Sequence, residues 1–250
     1  MEIRNLSKDE RSDALILARD VLFADRNGQD DEKTLSLLKQ RTEDHAMLGA
    51  YEDSLAGVLL YEPESMRIVL TAVRNEAEYD KVTAALVRKI LQEAGDMHLV
   101  RVRLNAPQTG KEFFTGLGFE ICGEEENGIV AMEYLMQKEW LGRTVTVIID
   151  RPYGSFHPHL PDVLYPVNFG YIKELADGAG QFQDAYVIGP QEPTETFTGI
   201  VAGILYRRED DVSRWIVTRP GETVSHESII SLIGFEEQYY DCRIIWAEDK

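Results

Sequence analysis

A chain of 250 residues, 44% hydrophobic and 28% charged, has the apolar mass for a packed core and the length of one large or two small domains, which excludes wholesale disorder. Asp and Glu outnumber Lys and Arg 44 to 26, a formal charge of −18 that repels phosphate backbones and anionic lipid, so nucleic-acid binding and membrane adsorption are disfavoured. Two cysteines, Cys122 and Cys242, are too few for a disulfide scaffold or a four-thiolate zinc site. The N-terminal MEIRNLSKDERSD is too charged for a secretory signal, and the longest apolar run, Ile200 to Tyr206, falls far short of the roughly 20 residues of a membrane span. A cytoplasmic protein is expected.

Taken in chain order, apolar residues at helical spacing predict helices over Ser12–Phe23 (Leu15, Ala18, Val21, Leu22) and Glu32–Thr42 (Leu35, Leu37, Leu38). Leu48–Leu60 reads as two strands around the turn Glu52-Asp53-Ser54, and Met66–Val73 as a third strand. Tyr79–Ala94 is the clearest helix, with Val82, Leu86 and Ile90 on one stripe. A strand over Leu99–Leu104, a short helix over Thr109–Thr115 and a strand over Gly128–Leu135 complete the first half. The segment Met136–Gly142 is the expected join, dividing residues 1–138 from 139–250. Beyond it, strands are expected at Val145–Ile149, Asp184–Ile188, Gly199–Tyr206, Trp215–Thr218 and Cys242–Trp246. One helix is expected over Ser225–Ile233, capped by Ser225 with Ile229, Ile230 and Ile233 inward. Five strands and one helix suggest a small closed OB-like β-barrel; the whole is an α+β two-domain chain.

The order of elements in the first half, with Phe113-Phe114-Thr115-Gly116-Leu117-Gly118-Phe119-Glu120, resembles the GNAT N-acetyltransferase fold over roughly residues 1–137. The resemblance implies a glycine-bearing loop before the long helix whose backbone N–H groups cradle the coenzyme pyrophosphate. Here that stretch is Arg74-Asn75-Glu76-Ala77-Glu78-Tyr79-Asp80-Lys81-Val82, with no glycine between Arg74 and Ala94. Glu76, Glu78 and Asp80 suit a helix start but oppose an anion. The second aromatic of the pair, a tyrosine general acid in many relatives, is Phe114. On these departures the sequence favours a transferase-shaped domain kept for packing, partner contact or ligand sensing, with acetyl-CoA-dependent transfer the lesser alternative.

The second half carries Asp150-Arg151-Pro152-Tyr153, Tyr165-Pro166-Val167-Asn168-Phe169-Gly170-Tyr171, Asp177-Gly178, Gln183-Asp184, Arg207-Arg208-Glu209-Asp210-Asp211, Arg214-Trp215 and Phe235-Glu236-Glu237-Gln238-Tyr239-Tyr240. In this order they resemble the short bacterial forms of the family I soluble inorganic pyrophosphatases, over about residues 141–248. That resemblance implies Mg²⁺ held by Asp177, Asp184 and Asp210, with Asp150 an acid at the pocket edge. Arg151, Arg214, Tyr165 and Tyr239 would grip phosphate, and Asp184, Asp150, Arg214 and Tyr165 would form the catalytic set. Such chemistry needs hard oxygen ligands for the metal and cationic or phenolic donors for the phosphoryl oxygens. The sequence departs from the pattern at Ala179, in two residues inserted before Asp184, at Ser213 where a metal-binding aspartate is expected, and at Phe169, which lacks a hydroxyl.

Structural readings stand beside these. Asp150 and Asp177-Gly178 suit turns, Asn168 and Gly170 a tight backbone, Arg207–Asp211 a solvated hairpin end, and Tyr239-Tyr240 packing. His157 and His159, separated by Pro158, read as solvated rather than as a metal pair. The leading expectation is Mg²⁺-dependent hydrolysis of pyrophosphate or a related phosphoanhydride. A degenerate phosphate-ligand or assembly module comes second and acyl transfer third, with homo-oligomerisation open.

Overall fold

The computed structural model describes residues 1–22, 31–123, 126–158, 162–176, 182–222 and 224–249. The chain forms two compact units, one of Met1–Asp96 with Arg101–Leu135 and the other of Met97–Val100 with Met136–Lys250.

The first unit runs β1 (Glu2–Asn5), α1 (Arg11–Leu22), α2 (Asp31–Arg41), β2 (Ala46–Tyr51), β3 (Leu55–Tyr61), β4 (Ile68–Val73), α3 (Tyr79–Asp96), β5 (Arg101–Pro107), α4 (Lys111–Gly116), β6 (Glu120–Ile121) and β7 (Ile129–Leu135). Its seven strands lie in the order β1-β2-β3-β4-β5-β7-β6. The apolar run of β3 is explained by helices on both of its faces, since alternate residues of a strand point to opposite sides. Val58 and Leu60 join Ala14, Leu15, Leu17 and Ala18 of α1 in one cluster. Gly57, of the other parity, lets Val82 of α3 sit where a Cβ would lie 2.6 Å from it. The α3 stripe of Val82, Leu86 and Ile90 is buried as its spacing predicts. The short strands β1 and β6 were not expected from the sequence.

The strands β4 and β5 are parallel neighbours joined by one register pair, Ile68↔Leu104. By contrast β4 pairs with β3 along its length, from Gly57↔Val73 to Tyr61↔Ile68, and β5 pairs with β7 from Arg101↔Leu135 to Pro107↔Ile129. Both run away from the shared pair toward their C-terminal ends, so the sheet opens there into a slot.

The second unit contains β8 (Thr144–Arg151), β9 (Asn168–Ala176), β10 (Phe182–Val187), β11 (Thr196–Arg207), β12 (Ser213–Thr218), α5 (His226–Glu237) and β13 (Cys242–Trp246). The expected OB-like five-stranded barrel is corrected to a six-stranded sheet of order β12-β10-β9-β8-β11-β13, with β12 also paired to β11. The strand that sequence reading missed is β9, whose third residue, Gly170, interrupts a strand-like composition. That glycine is required because a Cβ there would lie 1.9 Å from the Ile148 carbonyl oxygen of β8. Helix α5 is capped by Ser225 Oγ, which accepts from Ser228 N at 3.2 Å. Ile229 and Ile233 enter the core as expected, whereas Ile230 faces solvent. Among the described residues no helix is long and apolar enough to cross a membrane.

Candidate active site

The slot between β4 and β5 holds a cavity of about 300 Å³, walled by Leu70 and Thr71 of β4, Leu104 and Asn105 of β5, Phe114 of α4 and Tyr79 of α3. A second cavity of about 560 Å³ adjoins it and shares Val21 and Tyr79; its polar lining is Asp20, Glu76 and Arg74. Parallel strands that part in this way leave main-chain N–H and C=O groups of both facing edges without a ladder partner, a template for an extended ligand that carries its own amides.

The polypeptide between β4 and α3 shapes the far end of the slot. Arg74 N still donates to Ala56 O at 2.8 Å, so the ladder with β3 continues to the loop. Asn75 then turns the chain: its Oδ1 accepts from Ala77 N at 3.2 Å and its carbonyl from Glu78 N at 3.0 Å. Two amides that open toward an anion at many helix starts are therefore satisfied within the loop. Glu76, Glu78 and Asp80 surround them, and Lys81 Nζ is bound to Glu52 at 3.0 Å. From the sequence, this loop is expected to be a poor diphosphate cradle.

The aromatic run that suggested the fold is largely architectural. Phe113, Phe114, Phe119 and Tyr134 form a chain of edge-on and tilted rings, with Tyr79 at 6.1 Å from Phe113. After α4 the chain closes with Phe119 N donating to Phe114 O at 3.1 Å and Gly118 N to Thr115 O at 2.9 Å, with Gly118 at φ +94°. A side chain at Gly118 would meet the Tyr134 ring at 2.9 Å. Sequence reasoning did not single out Tyr79, whose hydroxyl lies 3.1 Å from Thr71 Oγ1 inside the slot. Its one signal was an aromatic residue at the first position of the long helix.

In the second unit the expected pyrophosphate residues are placed as follows. Arg214 is partly buried, with Nη1 at 2.6 Å from Glu236 and 2.9 Å from Glu237 and donating to the Tyr186 hydroxyl at 2.7 Å. Burial works against its charge, but Tyr186 and the two carboxylates outweigh burial and raise its pKa. Arg207 binds Glu237 at 2.8 Å and approaches Asp210 at 3.6 Å. Asp150 pairs with Arg151 at 2.7 Å on the surface. Tyr165 is buried among Phe169, Phe235 and His157, its phenol pKa raised by burial and then by Glu236. Tyr239 projects into solvent, while Tyr240 lies under the Arg207 guanidinium at 3.7 Å. Asp184 sits on β10 opposite Tyr171. Asp177, Gly178, Ala179 and His159 lie outside the described residues. Among the described residues no three His, Cys, Asp or Glu side chains lie together so as to hold a metal ion.

The remaining motif residues have structural work. Asn168 is fully buried, accepts from Tyr153 N at 2.9 Å and donates to Glu192 O at 2.9 Å, clipping two loops to β9. Ser213, at the position of the missing metal ligand, donates to Gln137 at 2.8 Å in a buried network with Gln183 and Trp215.

The sequence profile of the acetyltransferase (GNAT) domain matches residues 31–138. Among solved structures, the chain is similar to an aminoglycoside 6'-acetyltransferase type Ii, at 16% identity over 54% of this chain and 97% of that one with TM-score 0.44. It is similar to the aminoglycoside 6'-N-acetyltransferase from Enterococcus faecium at 15% identity, with 54% and 97% of the two chains covered and TM-score 0.43. It is also similar to the PaiA N-acetyltransferase from Thermoplasma acidophilum in complex with coenzyme A, at 20% identity over 54% and 98% with TM-score 0.42. No curated protein matches at a significant level. Nothing in these comparisons supports a pyrophosphatase-like second unit, and the expectation of a Mg²⁺-dependent hydrolase is corrected by the acetyltransferase profile. The chain carries an N-terminal GNAT acetyltransferase domain.

Proposed function

We propose that the first unit transfers an acyl group from a pantetheine thioester of the coenzyme A type to a cationic primary amine. The observation that carries this reading is the parting of β4 and β5 beyond Ile68↔Leu104. A pantetheine arm is extended and has two amides, the partners that an open strand edge lacks. The thioester then lies in the 300 Å³ cavity beside Tyr79, Thr71 and Phe114. The acceptor enters by the adjoining cavity, where Asp20 and Glu76 set two carboxylates against the single guanidinium of Arg74, and the chain's charge of −18 draws a cation toward it. Catalysis on this reading comes mainly from holding amine and thioester together in a slot that limits water. The diphosphate of coenzyme A gains little from the Asn75 loop, so affinity rests on the arm.

The test is incubation of purified protein with acetyl-CoA and a panel of diamines, polyamines and lysine peptides, reading thiol release and acetylated product by mass. Amine-dependent release with a matching acetylated product is expected. Release that does not depend on any amine, or none, contradicts the proposal.

A further inference from the structure

Independently of the acyl-transfer reading, we infer that the second unit holds a binding site for a small alkylammonium ion. A cavity of about 220 Å³ is bounded there by β11, the end of β12, the start of α5 and the turn after β13. Its apolar wall includes Ile200, Val224, Ile229 and Trp246, and its polar groups are Thr218, Glu222, His226 and Glu248. The volume is that of roughly seven waters at liquid density, room for an alkyl body of a few carbons. Two carboxylates against one imidazole give the lining an excess of acceptors and favour a cation.

A buried hydroxyl stands at the back of this cavity. Thr218 closes β12 two residues beyond Ile216, and alternate residues of a strand share a face. Ile216 packs with Ile229 of α5 and Trp246 of β13, so Thr218 is directed to the same side, where it lines the cavity. It is only 3% exposed, and its hydroxyl has no hydrogen-bond partner among the described residues. Buried hydroxyls are ordinarily paired, so one left open on a cavity wall implies a partner from outside the chain. The Glu222 carboxylate is likewise in no ion pair or hydrogen bond among the described residues. It folds back over Gly189, where a Cβ would meet its Oε2 at 2.7 Å, so the lack of a side chain there admits it. Glu248 is oriented by His226, whose ring stacks on Trp246 at 3.8 Å and whose Nε2 lies 2.5 Å from Glu248 Oε1. Glu248 Oε2 is left over. A primary ammonium carries three N–H donors and no acceptor. Thr218 Oγ1, Glu222 and Glu248 Oε2 offer it three acceptors, two of them charged, while Ile200, Val224 and Ile229 face the alkyl chain. An inorganic cation would leave that wall unused, and among the described residues the carboxylates are not grouped as metal ligands.

The probe is n-butylammonium chloride, titrated into the isotope-labelled full chain at neutral pH and constant ionic strength and followed by amide NMR shifts. Butanol and butyrate, of similar size, serve as the uncharged and anionic controls. Saturable shifts are expected at Thr218, at the start of α5 and over residues 246–248, with a dissociation constant on the order of a millimolar. The alcohol and the carboxylate are expected to bind at least about tenfold more weakly. Glu222→Gln, at an exposed position, and Thr218→Val, which keeps the side-chain shape, are each expected to weaken the amine about tenfold. Any shifts that the probe causes in the first unit are expected to keep their midpoint in both variants. Thermal melting measures folding separately, and Glu222→Gln alone decides the matter should Thr218→Val not fold. Equal affinity for amine and alcohol, no shifts in those segments at about 50 mM probe, or amine binding unaltered by Glu222→Gln each overturn the inference. Shifts in the first unit alone overturn it and leave the acyl-transfer reading standing.

Discussion

Asn75 takes the place of an anion at the start of the long helix. Its side-chain oxygen and its carbonyl accept from Ala77 N and Glu78 N, so a diphosphate arriving there would have to displace a bond already made. Asn75→Gly removes the side-chain acceptor and leaves an amide for the ligand, with a gain of roughly one charge-assisted hydrogen bond, about 1.5 kcal/mol. KM for acetyl-CoA is expected to fall about tenfold in this variant, while KM for acetyl-pantetheine, which has no diphosphate, stays unchanged. Equal changes for the two donors would show that the loop does not set diphosphate affinity. The absence of glycine here was legible in the sequence, as was the acidity of Glu76, Glu78 and Asp80. The place of Tyr79 was not, because it is defined by Thr71 eight residues back and by Phe113 more than thirty residues ahead, on different elements.

At the scale of elements, helical periodicity located α1 and α3, which bury one stripe, and α2, whose Leu35 and Leu38 are only half-buried while Leu37 is exposed. Apolar runs located β2, β3, β4, β5 and β7. Short polar strands such as β1 escaped because pairing, rather than composition, makes them strands. In the second unit the reading failed where charges meet at long range. The resemblance implied a phosphate contact at Arg214, yet Glu236 and Glu237 return on α5 to bind its Nη1, and Arg207 takes the other side of Glu237. Burial pushes the Glu237 carboxyl up, but Arg207, Arg214 and Tyr186 together hold it below the ordinary range. A depressed folded pKa contributes stability that is complete above the unfolded value near ~4.3 and is lost as pH falls through the lower folded value. Glu237→Gln is therefore expected to cost about 3 kcal/mol at pH 7, because it leaves the buried guanidinium of Arg207 and the partly buried one of Arg214 short of a counter-charge. Denaturant unfolding across pH is expected to show that deficit narrowing steadily below about pH 5. A deficit independent of pH would mean that Glu237 is not the charged partner of Arg207 and Arg214.

For the whole molecule, two units of similar size answered differently to sequence reading. The first was recognised by its order of elements, and the acetyltransferase profile over residues 31–138 agrees. The second offered motifs whose residues turn out to clip loops, as Asn168 does, to admit a neighbouring strand, as Gly170 does, or to join a buried polar network, as Ser213 does. Residue types alone did not separate these roles from ligand contact, because each depends on what packs opposite. The central claim is that the slot opened by β4 and β5 receives the acyl donor, and amide hydrogen exchange with and without acetyl-CoA tests it most directly. The account predicts that added donor slows exchange in residues 69–73 of β4 and at the C-terminal end of β5, with the second unit unchanged. Unchanged exchange in β4 at saturating donor, or protection confined to the second unit, would contradict it.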